Sequence, residues 1–226
     1  MNSKRVFKSS NSLLLELFKV GISNVQPRKI LKKFLKVLDQ EIVVLDKNNK
    51  NIYKNIKSII PICVGKASVD MAKSAMSILK DHKNKISEGI LVVNEENFKE
   101  IPGFKCFMSG HPVPNRNGLI ASKFIESKLK KLGQKDLVLF FLSGGGSALM
   151  PYPAGEIKLS EKIKINQSLL SSGANIIEIN TVRKHLSKIK GGNFLKMSFP
   201  SQVHSFILSD VIGDDLSSIS SGPTVP

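Results

Sequence analysis

The sequence is poor in aromatic residues and in cysteine. Among its 226 residues there is no tryptophan, and there are two tyrosines and two cysteines. With 6% aromatic residues the chain offers few rings on which nucleic-acid bases could stack, and no known nucleic-acid-binding motif occurs. Cys63 and Cys106 are too far apart for a C-x-x-C or zinc motif. Two cysteines suit a reducing cytoplasm, with a single disulfide between them as the alternative.

Long apolar runs are also absent. No stretch approaches the length of a membrane span. The amino terminus resembles a signal peptide, because basic residues precede a leucine-rich segment beginning at Leu13. Glu16 and Lys19 interrupt that segment, and no small-residue cleavage site follows. We therefore expect a cytoplasmic protein without a membrane partner.

Acidic residues are few relative to basic ones. The chain has 34 Lys and Arg against 18 Asp and Glu, which gives a formal net charge of +16. The lysines are dispersed, so the charge indicates attraction of phosphorylated small molecules more than a nucleic-acid surface. Binding of nucleic acid, driven by charge alone, is the weaker alternative. A hydrophobic fraction of 41% is that of an ordinary globular protein.

Buried strands alternate with helices along most of the chain. Amphipathic patterns predict two helices between Asn11 and Leu38, and a polar connector follows at Asp46–Lys54. Apolar runs then predict five strands, at Ile56–Val64, Gly89–Val93, Phe104–Met108, Asp136–Leu142 and Val203–Leu208. The alternation predicts a Rossmann-like α/β domain, with a mostly parallel sheet and helices on both faces. Residues 1–55 are expected to form a helical extension packed against it.

Unusual peptides follow four of these strands. Gly65-Lys66 follows the first, the loop beginning Ser109-Gly110-His111 the third, Ser143–Ser147 the fourth, and Ser209–Asp215 the last. Ligands of open parallel sheets bind in the crevice outside the carboxyl ends of the strands. The convergence of four such loops predicts a binding site at that edge.

The glycine loop is the first candidate for anion binding. Gly144, Gly145 and Gly146 let the backbone approach a ligand and point N–H groups at an anion, and Ser143 and Ser147 add hydroxyl donors. A tight turn without a ligand is the alternative. The spacing matches neither a Walker A loop nor a hydrolase nucleophile elbow, and no G-x-G-x-x-G follows a predicted strand, which argues against a dehydrogenase.

Charged residues in the other loops are candidates for chemistry. Lys66, between a strand and a helix start, could stabilise charge on a transferred phosphoryl group. Asp210 and Asp214 are carboxylates suited to Mg²⁺, although Asp214 and Asp215 could instead cap a helix. His111 could bind a substrate oxygen, act as a base, or hydrogen-bond its own loop.

A basic helix precedes the Gly191-Gly192 pair. Arg183 and Lys190 lie seven residues apart on one helical face, so both could reach a carboxylate or phosphate, and Arg183 could do so with two parallel hydrogen bonds. A solvated basic helix ending at a glycine is the alternative.

Together these peptides resemble the glycerate 2-kinase family whose second domain is called MOFRL. The resemblance runs from Lys66 to Pro226 through VGKASVDMAKSAM, SGHPVPNRNG, the segment FLSGGGSALM to LSKIKGG, and ILSDVIGDDLSSISSGPTVP. It implies transfer of phosphate from ATP, with Mg²⁺, to D-glycerate, giving 2-phosphoglycerate in a cleft between two domains. It also implies that Lys66 is the active-site lysine, that the Gly144–Ser147 loop contacts phosphate or carboxylate, and that Asp210 lies by the phosphoryl group.

The chain departs from that family in two residues and in length. Asn115 stands where aspartate is common, and Asn193 where arginine is common. Family members are about twice as long, so the resemblance implies that the second domain, with its catalytic arginine, is missing from residues 1–226. We expect a kinase that is incomplete without that domain, which a separate chain could supply. A catalytically dead module that binds nucleotide or glycerate is the alternative.

Overall fold

The computed structural model describes residues 10–39, 41–46 and 49–226. Its amino-terminal part contains two helices, α1 (Ser10–Val25) and α2 (Pro27–Phe34), and a small antiparallel sheet of β1 (Leu35–Leu38), β2 (Glu41–Leu45) and β3 (Lys50–Tyr53). The predicted helical extension is therefore wrong beyond Phe34, and the predicted connector contains a strand. Leu35 pairs with Val44 across a turn at Asp39, whose φ of 48° lets the chain reverse.

A five-stranded parallel sheet forms the centre of the remaining chain, as the alternation predicted. The elements are, in chain order, β4 (Ser58–Val64), α3 (Ser68–Ile78), β5 (Gly89–Asn94), β6 (Phe104–Ser109), α4 (Arg116–Leu129), β7 (Asp136–Ser143), α5 (Gly146–Leu149), α6 (Leu159–Ser171), α7 (Ile176–His185), α8 (Asn193–Ser198) and β8 (Gln202–Leu208). Each strand begins and ends within about two residues of the predicted bounds, which is the usual precision of such boundaries. The helix predicted to carry both Arg183 and Lys190 ends at His185, before Lys190.

Helices cover both faces of the sheet because its buried strands direct alternate side chains to opposite sides. On β7, Leu139 and Phe141 pack into a core shared with α3, α2 and β2, so the amino-terminal part lies against the sheet. Val138 and Phe140 on the same strand pack into a second core with α4 and α8, where Phe140 stacks on Phe194 at 4.2 Å between ring centroids.

The strand order is β6-β5-β4-β7-β8. From β4 the chain adds strands toward one edge, and from β7 it adds them toward the other. The loops after β4 and β7 therefore leave the sheet side by side, with Val64 paired to Leu142. Such a reversal opens a crevice at the carboxyl ends of the two strands.

The order of strands also excludes a disulfide. Cys63 on β4 and Cys106 on β6 are both paired to Leu91 on the intervening β5. Two strand spacings, about 9–10 Å, separate them, which is beyond the reach of a disulfide. Both cysteines are free thiols.

Candidate functional site

The loops after β4 and β7 contact each other at the crevice. The Lys66 N–H donates to the Gly144 carbonyl at 2.9 Å, and the Ala67 N–H donates to the Ser143 hydroxyl at 3.0 Å. Gly65 has a φ of 128°, and a Cβ at this position would overlap Ser143. The approach of the two loops thus depends on a glycine where a side chain would be both strained and obstructed.

A cavity of about 220 Å³ lies outside these loops. It is bounded by residues from α6 and α7 and from the loops that follow β6, β7 and β8. The residues with candidate roles that line it are His111, Gly144, Gly145, Ser147, Arg183 and Asp210. The structure thereby brings together six of the sequence-predicted site residues. We call this cavity the cleft.

The glycine loop lies against His111 and Asp210, which line the cleft, and against Lys66, which lies beside it. Gly145 has a φ of 88°, and a Cβ there would lie 2.9 Å from Cδ2 of His111 and 3.4 Å from Cγ of Lys66. A Cβ at Gly144 would overlap the Asp210 carboxylate. The glycines therefore allow Lys66, His111 and Asp210 to meet at one loop.

The polar groups around His111 influence its protonation. Burial and the positive charge of Lys66 lower the pKa of His111, while Glu96 and Asp210 act in the opposite direction. An imidazole with a lowered pKa is neutral at neutral pH and can accept a proton or a hydrogen bond. The alternative in which His111 hydrogen-bonds its own loop finds no support among the described residues, where no such bond occurs.

Glu96 is a charged residue near His111 that the sequence predictions missed. Hydrogen bonds from its own backbone and from Asn94 lower the pKa of Glu96, and His111 and Lys66 lower it further. Its position gave a usable signal, because Glu96 follows β5 at the same sheet edge as the other loops.

Three cations form a second charged set, which we call the basic cluster: Lys162, Arg183 and Lys190. Lys190 is 1% exposed, and its ammonium donates to the Ser147 carbonyl at 2.7 Å and to the Ser147 hydroxyl at 2.5 Å. Burial first, and then Lys162 and Arg183, place the pKa of Lys190 well below its ordinary value. Lys190 thus lies behind the glycine loop rather than on the cleft surface.

Lys162 and Arg183 complete the basic cluster. The Lys162 ammonium donates to the Leu186 carbonyl at 2.8 Å, and burial together with Arg183 lowers its pKa to about 8. Arg183 lines the cleft, its Nε donates to Asn166 Oδ1 at 3.2 Å, and burial lowers its pKa. Lys162 was not predicted, because nothing in the sequence separates it from the other lysines.

The two serines of the glycine loop have different surroundings. Ser143 is buried, and its hydroxyl accepts the Ala67 N–H, so it joins two loops and does not line the cleft. Ser147 lines the cleft, and its hydroxyl contacts Lys190 and, at 3.1 Å, the Ser221 hydroxyl. Gly146 is buried against Ser220. Of the two predicted hydroxyl donors, Ser147 alone lines the cleft.

The aspartates after β8 also differ in their location relative to the cleft. Asp210 lines the cleft, whereas Asp214 has a φ of 53° and lies outside it. The Asp215 carboxylate accepts hydrogen bonds from Ser217 and Ser218 within a turn. The short helix that follows, Ile219–Ser221, has Ser218 as its N-cap, so the alternative in which Asp214 and Asp215 cap a helix is wrong. Within residues 10–39, 41–46 and 49–226, no group of three or more His, Cys, Asp or Glu side chains could hold a metal ion.

Both asparagines at the unusual positions have structural partners. The Asn115 side chain caps α4 by accepting the Gly118 N–H at 3.0 Å. Asparagine and aspartate serve about equally well in this position. The Asn193 amide donates to the Ser187 carbonyl at 3.2 Å.

Among the described residues, none of the helices combines the length and the hydrophobicity that spanning a bilayer requires.

Comparison with known proteins gives consistent matches. A family profile described as "Domain of unknown function (DUF4147)" matches residues 13–226. A protein from Thermotoga maritima named D-glycerate 2-kinase is 38% identical over 220 residues, which are 97% of this chain and 48% of that protein. The chain spans about half the length of the curated relatives it matches.

Two solved structures have the same fold. A crystal structure of a protein from Pyrococcus horikoshii superposes with a TM-score of 0.84 at 34% identity, covering 97% of this chain and 48% of that one. A crystal structure of a glycerate kinase from Thermotoga maritima superposes with a TM-score of 0.80 at 38% identity, covering 95% and 47%.

Proposed function

Since the chain belongs to the DUF4147 family, the amino-terminal domain of the glycerate 2-kinase family, we propose that it supplies the nucleotide-fold half of a D-glycerate 2-kinase. The reaction is ATP-dependent and yields 2-phosphoglycerate. The observation that carries the proposal is the meeting of Lys66, His111 and Asp210 at the glycine loop, where the strand order of the sheet reverses.

The residues of the cleft fit the demands of phosphoryl transfer. This reaction depends on positioning and on stabilising negative charge around the transferred group. The Lys66 ammonium supplies a cation beside the glycine loop. Because three consecutive residues of that loop lack side chains, its backbone can approach a phosphate closely. His111, neutral because its pKa is lowered, accepts the proton of the attacking hydroxyl.

Asp210 is the one predicted metal ligand that lines the cleft. Kinases commonly hold Mg²⁺ through one or two carboxylates together with the nucleotide phosphates, so a single Asp210 is compatible with Mg²⁺ brought in by ATP. The ion would neutralise charge on those phosphates. Asp214 lies outside the cleft, and we give it no metal-binding role in the proposal.

A second wall of the cleft is expected from a further domain or a separate chain, because the relatives are about twice as long as the chain. Phosphoryl transfer depends on groups held around the transition state, so an enzyme without one wall is slower by orders of magnitude. We therefore propose that residues 1–226 bind ligands in the cytoplasm and complete the reaction with that partner.

The test is reconstitution. The purified chain is mixed with ATP, Mg²⁺ and D-glycerate, with and without the separately expressed carboxy-terminal half of the Thermotoga maritima relative. Phosphorus NMR follows the product and distinguishes phosphate on C2 from phosphate on C3. We expect turnover with the partner and little without it.

Lys66→Met should abolish that turnover, and Lys73→Met, which removes an exposed lysine on α3, should not. Ligand binding without turnover under any condition would favour a catalytically dead binding module. Equal turnover by the chain alone would contradict the need for a second wall.

A further inference from the structure

The basic cluster is unusual because its three cations have no carboxylate partner among the described residues. Lys162 and Lys190 donate to neutral carbonyl and hydroxyl oxygens, and Arg183 donates through Nε to a side-chain amide. Neutral acceptors satisfy hydrogen bonds but leave the positive charge uncompensated. Burial of a cation in such surroundings is unfavourable, and an anion in the cleft would offset part of that cost.

Arg183 is the member of the cluster that a ligand can reach. It lines the cleft, and its Nε–H to Asn166 is its only side-chain hydrogen bond within the part of the chain that the structure describes. Asn166 also lines the cleft and fixes one edge of the guanidinium. The remaining N–H groups form a planar fork that matches the two oxygens of a carboxylate.

The charged groups in and around the cleft fall into two sets. The pKa of His111 responds to Lys66, Glu96 and Asp210, whereas the pKa values of Lys162 and Lys190 respond to Arg183. The first set has the groups suited to a hydroxyl and a phosphoryl group. The second set has only positive charge, so it suits the acidic end of a substrate.

The cleft is large enough for a small acid. Its volume of about 220 Å³ is below the roughly 300–1,000 Å³ of pockets for drug-sized ligands. A three-carbon acid fits this space.

We propose that Arg183, held by Asn166, binds the carboxylate of a small hydroxy acid and so directs its hydroxyl toward Lys66, His111 and Asp210. The inference rests on the proposed function, because it assigns an orientation to the acid substrate of the same cleft. Lys162 and Lys190 contribute by raising the positive potential behind Arg183, and they do not touch the ligand.

The experiment compares ligands that differ only in charge. Binding of D-glycerate, of its uncharged amide glyceramide, and of ATP is measured by NMR titration of the whole chain. The variants are Arg183→Met and Arg183→Lys, and Arg28→Met on the exposed face of α2 is the matched control. We expect Arg183→Met to weaken D-glycerate binding about tenfold to a hundredfold, the usual effect of losing a hydrogen-bonded charge pair.

Three further results are expected of the same titrations. Glyceramide binds the wild type more weakly than D-glycerate does, and Arg183→Met removes that difference. Arg183→Lys keeps the charge but loses the planar fork, so its affinity for D-glycerate should lie between those of the wild type and Arg183→Met. ATP binding changes less than threefold in any variant, about 0.6 kcal/mol or less at 25 °C.

Several outcomes would overturn the inference. These are unchanged D-glycerate binding in Arg183→Met, a loss confined to ATP, or no binding of any small carboxylate by the wild type. If Arg183→Met does not fold, Asn166→Ala gives the same test, because it frees the edge of the guanidinium that the amide holds.

A separate arm distinguishes this inference from the proposed function. Lactate and malonate are titrated alongside D-glycerate. If all three bind equally well and all depend on Arg183, the carboxylate subsite stands and the preference for glycerate fails. If D-glycerate is preferred but does not depend on Arg183, the proposed function stands and the subsite fails.

Discussion

Replacing Gly145 with alanine should separate the conformational role of this residue from its role in arranging the cleft. Gly145 has a φ of 88°, and Gly103, in the turn before β6, has a φ of 81°. A Cβ at Gly103 would meet nothing within 4 Å, whereas one at Gly145 would meet His111 and Lys66. Gly103→Ala is therefore a matched control for the backbone conformation alone.

The expected stability loss is similar for the two variants. A left-handed conformation costs an alanine about 1–2 kcal/mol, and the reduced freedom of the unfolded chain returns about 0.4–1 kcal/mol. Each variant should therefore lose about 1 kcal/mol of unfolding free energy, measured by urea denaturation. The new methyl group meets the far end of the His111 side chain, which can move away, so the clash itself adds little to the stability loss at Gly145.

The effect on the cleft should differ between the two variants. The new Cβ at Gly145 would lie 2.9 Å from Cδ2 of His111, and carbon atoms in ordinary contact are about 3.5–4.0 Å apart. The imidazole must then move by about 0.6–1.1 Å, and a displacement of about 1 Å can lower a catalysed rate about a hundredfold. We expect that loss of turnover in the reconstituted enzyme for Gly145→Ala, and nearly full turnover for Gly103→Ala.

NMR titration of the His111 ring gives a measurement that does not depend on catalysis. In the wild type, burial and Lys66 lower its pKa. Displacement toward solvent should return the pKa of His111 toward its ordinary value in Gly145→Ala and leave it lowered in Gly103→Ala. An unchanged His111 pKa with full turnover in Gly145→Ala would refute the close fit of the glycine loop against this ring.

The remaining predictions concern stability. Burial lowers the pKa of Lys162 from 10.5 to about 8, so the folded state holds fewer protons than the unfolded state between those values, and its stability rises with pH there. From about pH 7 to about pH 9 the wild type should gain about 1–1.5 kcal/mol relative to Lys162→Met, and equal pH slopes in urea denaturation would contradict this. Ser143→Ala should lose about 1–3 kcal/mol in the same assay, because the Ala67 N–H loses its acceptor, and a loss below about 0.5 kcal/mol would show that water replaces it. Phe194→Ala should lose about 3–5 kcal/mol of unfolding free energy, because it removes a fully buried ring stacked on Phe140. Calorimetric melting measures this loss, and a clearly smaller value would show that the core closes over the cavity.

The parallel sheet could be predicted because its strands are buried on both faces. Runs such as Gly89–Val93 and Asp136–Leu142 are almost continuously apolar. A short apolar run of that kind is compatible with few structures other than a buried strand. The small antiparallel sheet is harder to predict, because only its middle strand, Glu41–Leu45, is a buried apolar run. Its third strand, Lys50–Tyr53, is mostly exposed and polar, so hydrophobicity gives no signal there, and β1 has only four residues.

The placement of the loops could also be predicted, since the carboxyl ends of parallel strands share one edge. The roles within those loops could not. Ser143 and Ser147 lie four residues apart in the same motif, yet Ser143 joins two loops and Ser147 lines the cleft. A hydroxyl's partners depend on which loop lies beside it, and the strand order decides that.

The basic cluster shows the same limit. Arg183 and Lys190 were predicted to face a ligand together because they share a helical face, but α7 ends at His185 and the chain then turns Lys190 behind the glycine loop. Lys162 became part of the cluster only through the packing of α6 beside α7. Among 34 basic residues, the sequence does not show which ones the fold will bury.

The sequence by itself determined the family, the parallel sheet and the edge at which its special peptides gather, because these depend on residue order and local hydrophobicity. Tertiary structure alone decided that Gly145 lies against His111, that Asp214 lies outside the cleft, and that three cations meet with neutral oxygens as their hydrogen-bond acceptors. These contacts join residues far apart in the chain. Their energies depend on distance and burial, which exist only once the sheet and its helices have packed.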